Sequence, residues 1–565
     1  MRPLRFLIVV SASGCTCATA GVQDDGGTDG IVDTTVDAAD APSDVAAEEA
    51  AVDPCAVATA EGNVIGCDYI AISPSRMGVF PYACLAAIVA NTSNSAVSVQ
   101  VTLQSAPQAL AFHANLIVGQ GQSASYSAWP TSNEVPPHGT AVISLAQGGL
   151  DQDDTACPSP PIVADVNEGT VTAAPNGTAH AFRIQTSAPT VVYEVWPFTQ
   201  NDIDISNVVA LRAAPSWQSS YVDVGTYLPG CDAGGAELAT GNTWTAVLAS
   251  TDGTVVTLPS AQAGAVGATL GATELLNVAR CDEFIGQSIA APHPIAVWTG
   301  TAGVQVPWYS DEPTSNAPFL QIPPVSEWGY TYPFAAPNSR IVNVAERTFF
   351  RIITTADGTT LTYSPAAPTG APTSLDHGQM GTFYSYGPFV VSSQDGAHPI
   401  FVMAHMVDPR DFDPDGGAEE GSNAMHSVLP TERWGLRYDL FLPFNYPASE
   451  LVVVRPLGAA DVTSDCAGAV TGWTAIDGTY EYARLAISTD ANGVFNPQAY
   501  DAGVCDNGVR SLSSVAPFGV TSYGWISMPF ATYGSLPPPH IDVGSSYAYT
   551  PLTSHATLSS DGGTN

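Results

Sequence analysis

The chain has 565 residues and a formal net charge of −38, and all 15 of its cationic residues are arginine. This balance excludes recognition of a nucleic-acid backbone, which needs clustered cations against phosphate. The absence of lysine also excludes a P-loop lysine and lysine Schiff-base chemistry.

Residues 1–14 carry Arg2 and Arg5, an apolar run from Phe6 to Val10, and small residues up to Cys15. That is the layout of a short secretory signal, and the apolar run is too short to span a bilayer. The stretch resembles a bacterial lipoprotein signal in which Cys15 becomes the lipidated N-terminus, with Ala12 where that pattern carries a larger aliphatic residue. Residues 15–54 follow, acidic from Asp24 onward and without a single cation. They bury too little apolar surface to offset chain entropy, so an extended, disordered tether is expected.

From Cys55 the chain repeats itself. Pro, two residues, Val occurs at Pro189, Pro294, Pro399 and Pro517, and the first three are spaced by 105 residues (189 to 294, 294 to 399). The Asp-Gly of "STDGTVVTL" at Asp252 and of "TADGTTLTY" at Asp357 keeps the same period. A third phrase, Trp, three residues, Tyr, occurs at Trp217/Tyr221, Trp328/Tyr332 and Trp434/Tyr438, with "GCDYIAIS" in its place in the first unit. Phrases in fixed order at a fixed period mark an internal repeat. The reading is four tandem modules, 55–205, 206–310, 311–420 and 421–550, with a flexible tail at 551–565.

Alternating apolar and β-branched residues predict an all-β fold of antiparallel modules of about 105 residues, sandwich-like, with a propeller-like ring as the alternative. The Asp-Gly pairs, and Thr92 to Ser95 in the first module, predict hairpins. In the fourth module either "LVVVRPLGAADVT" or Asp477-Gly478-Thr479 could be the equivalent turn. The repeated prolines are placed at the first residue of their strands, where a missing N–H is tolerated. Glu274 to Ile285 is the one helix candidate. The repeated Trp and Tyr are expected to fill gaps between sheets or modules, packing the modules as one rigid body.

Eight cysteines follow Cys15 and Cys17. Pairing within modules is the simplest scheme: Cys55–Cys67, Cys84–Cys157, Cys231–Cys281 and Cys466–Cys505. Disulfides imply an oxidising compartment, and no Cys-x-x-Cys suggests zinc instead.

The ordered phrases "GCDYIAIS", "CLAAIVANTSNSAVSVQVTL", "AFRIQTSAPTVVYEVWPF", "FVVSSQDGAHPIFVMAHM" and "DCAGAVTGWTAIDGTYEY" resemble the IgGFc-binding protein N-terminal domain family over about Gly66 to Tyr549, most closely its branch in lipoproteins of myxobacteria and related bacteria. The resemblance implies an extracellular binding or adhesion module and not an enzyme. It supplies no ligand-contact residues.

Sites are sparse. No Gly-x-Ser-x-Gly or His-Glu-x-x-His occurs, and no catalytic residue or cofactor is predicted. Asp411, Asp413, Asp415 and Gly416 match the opening of a calcium loop, with Glu419 as a further oxygen donor. Ser422 stands where an EF-hand has its bidentate Glu, and a solvated acidic insertion is the rival. His405 and His426 bracket this loop. The expected protein is lipid-anchored on the outer membrane or cell surface, binding a protein or glycan. A secreted hydrolase of polysaccharide or peptide and a structural envelope protein are the alternatives.

Overall fold

A computed structural model describes residues 53–73, 84–147, 157–164, 171, 176–198, 207–227, 243–260, 264–280, 283, 285–301, 306, 318–412, 418–444, 446–490, 495–529 and 545–553. Strands dominate these residues; the α-helices among them are Pro54–Ala60 and Leu110–His113. All the ladders between named strands are antiparallel, as an all-β chain with short connections requires.

One four-stranded sheet recurs in every module. In the first three its last strand lies beyond the boundary expected from the sequence, at Asn207–Ala210, Phe319–Ile322 and Ala424–Ser427, and each of these strands belongs with the sheet it completes. In the first module the sheet runs Asn207–Ala210, the C-terminal part of Phe182–Phe198, Cys84–Ala90 and Thr140–Ala146. The second repeats this order with Phe319–Ile322, Ser288–Thr301, Thr243–Ala249 and Glu274–Arg280. The third uses Ala424–Ser427, Ile400–Met406, Thr348–Thr354 and Met380–Ser385. The fourth uses Ser545–Tyr549, the C-terminal part of Gly508–Pro529, Ala448–Pro456 and Tyr480–Asp490. A smaller sheet packs over each. The central strands are buried at every position in the first three modules and at all but Pro456 in the fourth, because they are covered on both faces and paired on both edges.

The recurring phrases lock onto each other. In each module the residue three before the phrase's tyrosine pairs with the residue just after the repeated proline: Gly66 with Thr190, Gln218 with Ile295, Gly329 with Ile400 and Gly435 with Phe518. The register then shifts, because the partner chain turns a corner ending in that proline. The long strands Phe182–Phe198, Ser288–Thr301 and Gly508–Pro529 pass through this corner from the small sheet into the large one. Corner and bulge leave backbone groups without ladder partners, and a buried phenol supplies both missing roles. Tyr438 Oη accepts from Gly435 N at 2.9 Å and donates to Phe518 O at 2.8 Å. Tyr69 does the same between Gly66 N and Thr190 O, and Tyr332 between Gly329 N and Ile400 O. Tyr221 Oη accepts from Gln218 N at 3.3 Å.

Several sequence expectations are corrected. Pro189, Pro294 and Pro517 are not first residues of strands; they lie inside long strands, at the corner where no ladder bond is lost. The Asp-Gly turns do not close hairpins. Thr243–Ala249 and Thr254–Ser260 belong to different sheets, as do Thr348–Thr354 and Thr359–Ser364. Gly253 and Gly358 still supply the positive φ, +76° and +66°, that makes the pair look like a hairpin turn. Each aspartate instead crosses to the next loop: Asp252 Oδ1 accepts from Ala272 N and Asp357 Oδ1 from His377 N, at 2.7 and 3.0 Å. The segment from Thr92 to Ser95 likewise closes no hairpin: Cys84–Ala90 and Val97–Leu103 pair with different parts of Phe182–Phe198 and not with each other, and Asn91 ties the segment to Val135 O and Pro136 O. In the fourth module "LVVVRPLGAADVT" closes none either, and Asp477-Gly478-Thr479 is the true hairpin turn. The helix candidate at Glu274 to Ile285 is the strand Glu274–Arg280, paired on both edges. Its apolar spacing fits either period, and the two ladders decide.

Three disulfides follow the module-wise scheme: Cys55–Cys67, Cys84–Cys157 and Cys466–Cys505. Cys231 and Cys281 lie outside the described residues. Pro551 to Thr553, read as part of a flexible tail, pack against the fourth module, with Thr553 Oγ1 donating to Arg437 O at 2.8 Å.

Contacts between modules close a cycle. Trp217 and Trp298 share one core cluster with Tyr69 and Trp196 of the first module. Trp328 and Phe401 of the third module pack into the core of the second. Asn338 N donates to Glu450 Oε1 at 2.8 Å between third and fourth. Tyr193 of the first module packs on Phe441 and Tyr549 of the fourth and donates to Asp439 O. Each module is thus a two-sheet sandwich, and the four are joined head to tail in a ring.

The tyrosine bridges can be tested directly. Tyr438→Phe should strand the Gly435 N–H and the Phe518 carbonyl in a dry site and cost about 1–3 kcal/mol. Tyr330→Phe, at an exposed ring, should stay within about 0.5 kcal/mol. Equal urea midpoints for the two variants would show that the bridge adds no net stability.

Candidate functional site

Four strands face the ring's axis: Asn207–Ala210, Phe319–Ile322, Ala424–Ser427 and Ser545–Tyr549. Each is the last strand of its module's large sheet. Together with the segments that follow them, they line a half-open cavity of about 100 Å³. Val208, Leu320, Met425 and Tyr549 give it an apolar wall with one contribution from every module. A site of this kind cannot be built by any module alone.

Its charged groups come from the links between modules. Arg212 follows the first inner strand, Glu327 the second and Arg433 the third. Short turns place them: 3-10 turns at Ala214–Ser216, Val325–Glu327 and Thr431–Arg433 each end at the phrase's tryptophan. The indoles hold these turns, with Trp217 Nε1 donating to Arg212 O and Trp328 Nε1 to Pro323 O, both at 3.2 Å.

The Arg212 guanidinium is buried and paired through Nη2 with the Glu327 carboxylate. Its backbone N–H donates to Gln321 Oε1 at 2.8 Å. Its Nε has no hydrogen-bond partner among the described residues. Burial pulls its pKa down to about 10, and the nearby Arg433 charge adds to that shift. Arg433 donates to carbonyls, Glu327 O at 3.3 Å and Ser326 O. Burial lowers its pKa too, against the attraction of Glu432.

His426 separates this chamber from a second cleft of about 210 Å³ between the third and fourth modules, lined by Asn338, Arg484 and Tyr386 among others. Its Nδ1 lies 3.0 Å from Ser427 O, so Nδ1 carries the proton. Nε2 then accepts from the Tyr523 hydroxyl at 2.9 Å. Burial lowers the His426 pKa to about 4.

The acidic loop is only partly visible. Asp408 caps the short turn Pro409–Asp411 and accepts from Arg410. Both Asp411 oxygens accept from Arg347, at 2.6 and 2.7 Å, and the guanidinium stacks on Tyr384 at 3.9 Å. Calcium at Asp411 would have to displace this arginine. Asp413 and Asp415 lie outside the described residues, as does Cys15. The Glu419 backbone pairs with Met528, and its side chain is not among those described. Because Ala404 faces His426 and His405 faces Met425 across the ladder, His405 and His426 project to opposite faces of one sheet.

Arg212, Glu327 and Arg433 were not singled out from the sequence. A signal was present: in a chain of 12% charged residues, "LRAAPSW", "VSEW" and "TERW" each place charges just before the tryptophan.

His426 contributes to the pH dependence of stability, in the same sense as His405, whose pKa burial also lowers. The folded pKa of His426 lies below the usual 6.5, so between about 6.5 and 4 the unfolded chain binds a proton that the folded one does not. The contribution of His426 is therefore complete above 6.5 and falls as pH drops through this window, by about 3 kcal/mol. The buried carboxyls Glu194 and Glu450, whose pKa burial raises, work in the opposite sense above 4.5. Subtracting the pH profile of His426→Gln from that of the parent isolates the histidine, and a flat difference between pH 4 and 6.5 would refute its role.

The family model described as IgGFc binding protein matches residues 210–524, more than half of the chain. No curated protein and no solved structure matches it. The match starts at the first inner strand and runs through the corner of the fourth module, so it takes in the second, third and fourth recurrences of the phrases described above. The chain belongs to the IgGFc binding protein family.

Proposed function

We propose that this chain is a lipid-anchored surface protein that binds a protein or glycan ligand with its assembled modules. Membership in a binding family supports the binding role, and the disulfides fit an oxidising compartment. The observation that carries the reading is the axial chamber, to which every module contributes an inner strand. Fusing four modules into one ring makes sense where their surfaces must act together, since loops and strand ends on a rigid scaffold keep a fixed geometry.

The lining argues for binding over hydrolysis. Hydrolysis of a glycosidic bond uses two carboxyl groups converging on one position. Glu327 is the carboxylate lining the axial chamber and Glu346 the one lining the second cleft; each is held by an arginine, Arg212 and Arg340. No helix among the described residues is long and apolar enough to cross a membrane, which leaves β-barrels untouched. Anchoring rests on Cys15 behind its apolar segment.

Two measurements bear on this. Cys15→Ala should move the protein from the membrane fraction to the soluble one; retention in the membrane fraction would rule out anchoring through Cys15. Hydrogen exchange on the full chain, with and without surface protein and glycan fractions, should show protection of Asn207–Ala210, Phe319–Ile322, Ala424–Ser427 and Ser545–Tyr549 on binding. Binding that leaves all four strands unprotected would move the site elsewhere. Conversion of an added glycan or peptide into product would replace the binding role with an enzymatic one.

A further inference from the structure

We infer that the axial chamber is a binding site for a small amphipathic carboxylate, held by Arg212 and Arg433 against an apolar wall. The inference rests on the binding role proposed above and adds a small ligand inside the chamber to the protein or glycan held by the modules.

Charge is the first argument. The whole chain is strongly acidic, yet the ionised groups lining this chamber are two guanidinium groups and one carboxylate. Glu327 neutralises one of them, through Arg212. Arg433 turns to backbone carbonyls, and Glu432 attracts it from outside the lining. Most arginines described elsewhere in the fold are matched to acids, Arg183 with Asp68, Arg340 with Glu346, Arg351 with Glu283 and Arg455 with Glu481, while Arg484, in the second cleft, donates to Ala336 O. The lining itself therefore holds one more cation than anion.

The second argument is an unused donor. Arg212 is buried to more than nine-tenths, and its Nε has no hydrogen-bond partner among the described residues. A buried N–H on a cation is costly to leave unmade; Nε is closed off from the chamber as it stands, and a small turn of the side chain would bring it to a carboxylate there for a short charge-assisted bond. Guanidinium forks match the planar carboxylate, which favours that class over a compact dianion.

The third argument is the wall. Val208, Leu320, Met425 and Leu429 present hydrocarbon beside the two cations. A ligand with a short apolar chain and one carboxylate meets both halves. The cavity of about 100 Å³ suits something small.

Titration calorimetry on the full chain tests this with hexanoate, against hexan-1-ol and inorganic phosphate. Hexanoate should bind at least about tenfold more tightly than hexan-1-ol, the scale of one charge-assisted hydrogen bond. Arg433→Gln should remove about tenfold of that affinity and leave hexan-1-ol unchanged. Arg212→Gln should remove more. Arg212 helps join modules and its variant can fail to fold, whereas Arg433 is half-buried and its variant keeps the test decisive. Equal affinity for hexanoate and hexan-1-ol, preference for phosphate, or hexanoate binding indifferent to Arg433→Gln would each overturn the carboxylate assignment. If hexanoate fails while a macromolecular ligand still protects the four inner strands, the carboxylate class falls and the binding role stands. If neither engages those strands, both fall.

Discussion

The fold depends on a single phenol used four times. A strand that leaves one sheet and enters another must break its ladder at the corner, and a broken ladder in a dry core strands backbone donors and acceptors. In three modules a buried tyrosine accepts from one orphaned N–H and donates to the carbonyl beyond the proline; in the second, Tyr221 accepts from Gln218 N. Proline belongs there for a complementary reason: it brings no N–H to be satisfied. Once corner and phenol are fixed, the long strand can serve both sheets, and each sandwich is tied through its own middle. Burial keeps these phenols protonated, because the charged form would lose its hydration without gaining a counter-ion.

From the corners the rest of the architecture follows. The strand emerging from each corner is flanked on one side by the central buried strand and on the other by a short strand facing the axis. Because that short strand is the last of its module, the chain leaves each module at the centre of the ring. The linkers between modules are therefore axial, and their charges face one another. The short turns ending in tryptophan do two jobs there. They bury a large aromatic in the preceding module's core and hold Arg212 and Glu327 at the chamber wall.

Much of this was legible in the sequence, and the failures have a common cause. Alternation gave an all-β fold; period and phrase order suggested four modules, but bounds drawn at 205, 310 and 420 cut off the strand that completes each of the first three large sheets. Cysteine placement anticipated the three observed bridges. The hairpin readings at Asp252-Gly253 and Asp357-Gly358 failed because positive φ at glycine is a local property, whereas the sheet a strand joins is decided by distant partners. Ala249 pairs with Ile295 and not with Thr254. The corner prolines were mistaken for strand starts because sequence shows the missing donor but not the bend. The charged site was hidden for the same reason: Arg212, Glu327 and Arg433 lie far apart along the chain and meet only when the ring closes. Asp411 illustrates the converse, since its local motif suggested a cation and a remote arginine, Arg347, fills that role.

Ring closure has a consequence for how such a chain can fold. Tyr193 of the first module donates to Asp439, 246 residues away, and packs against Tyr549 in the strand Ser545–Tyr549. Non-local pairings of this kind are slow to form, because loop entropy is spent before any contact compensates for it. The first module, made earliest in synthesis, must wait with its fourth-module face uncovered until nearly the whole chain has been made. During that wait Val191, Tyr193 and Val195 present a sticky apolar surface, the kind of surface that draws incompletely folded chains into aggregates. The order of synthesis thus sets the last segment as the clasp of the assembly, and a chain interrupted before it would carry three finished modules and one permanently unsealed seam.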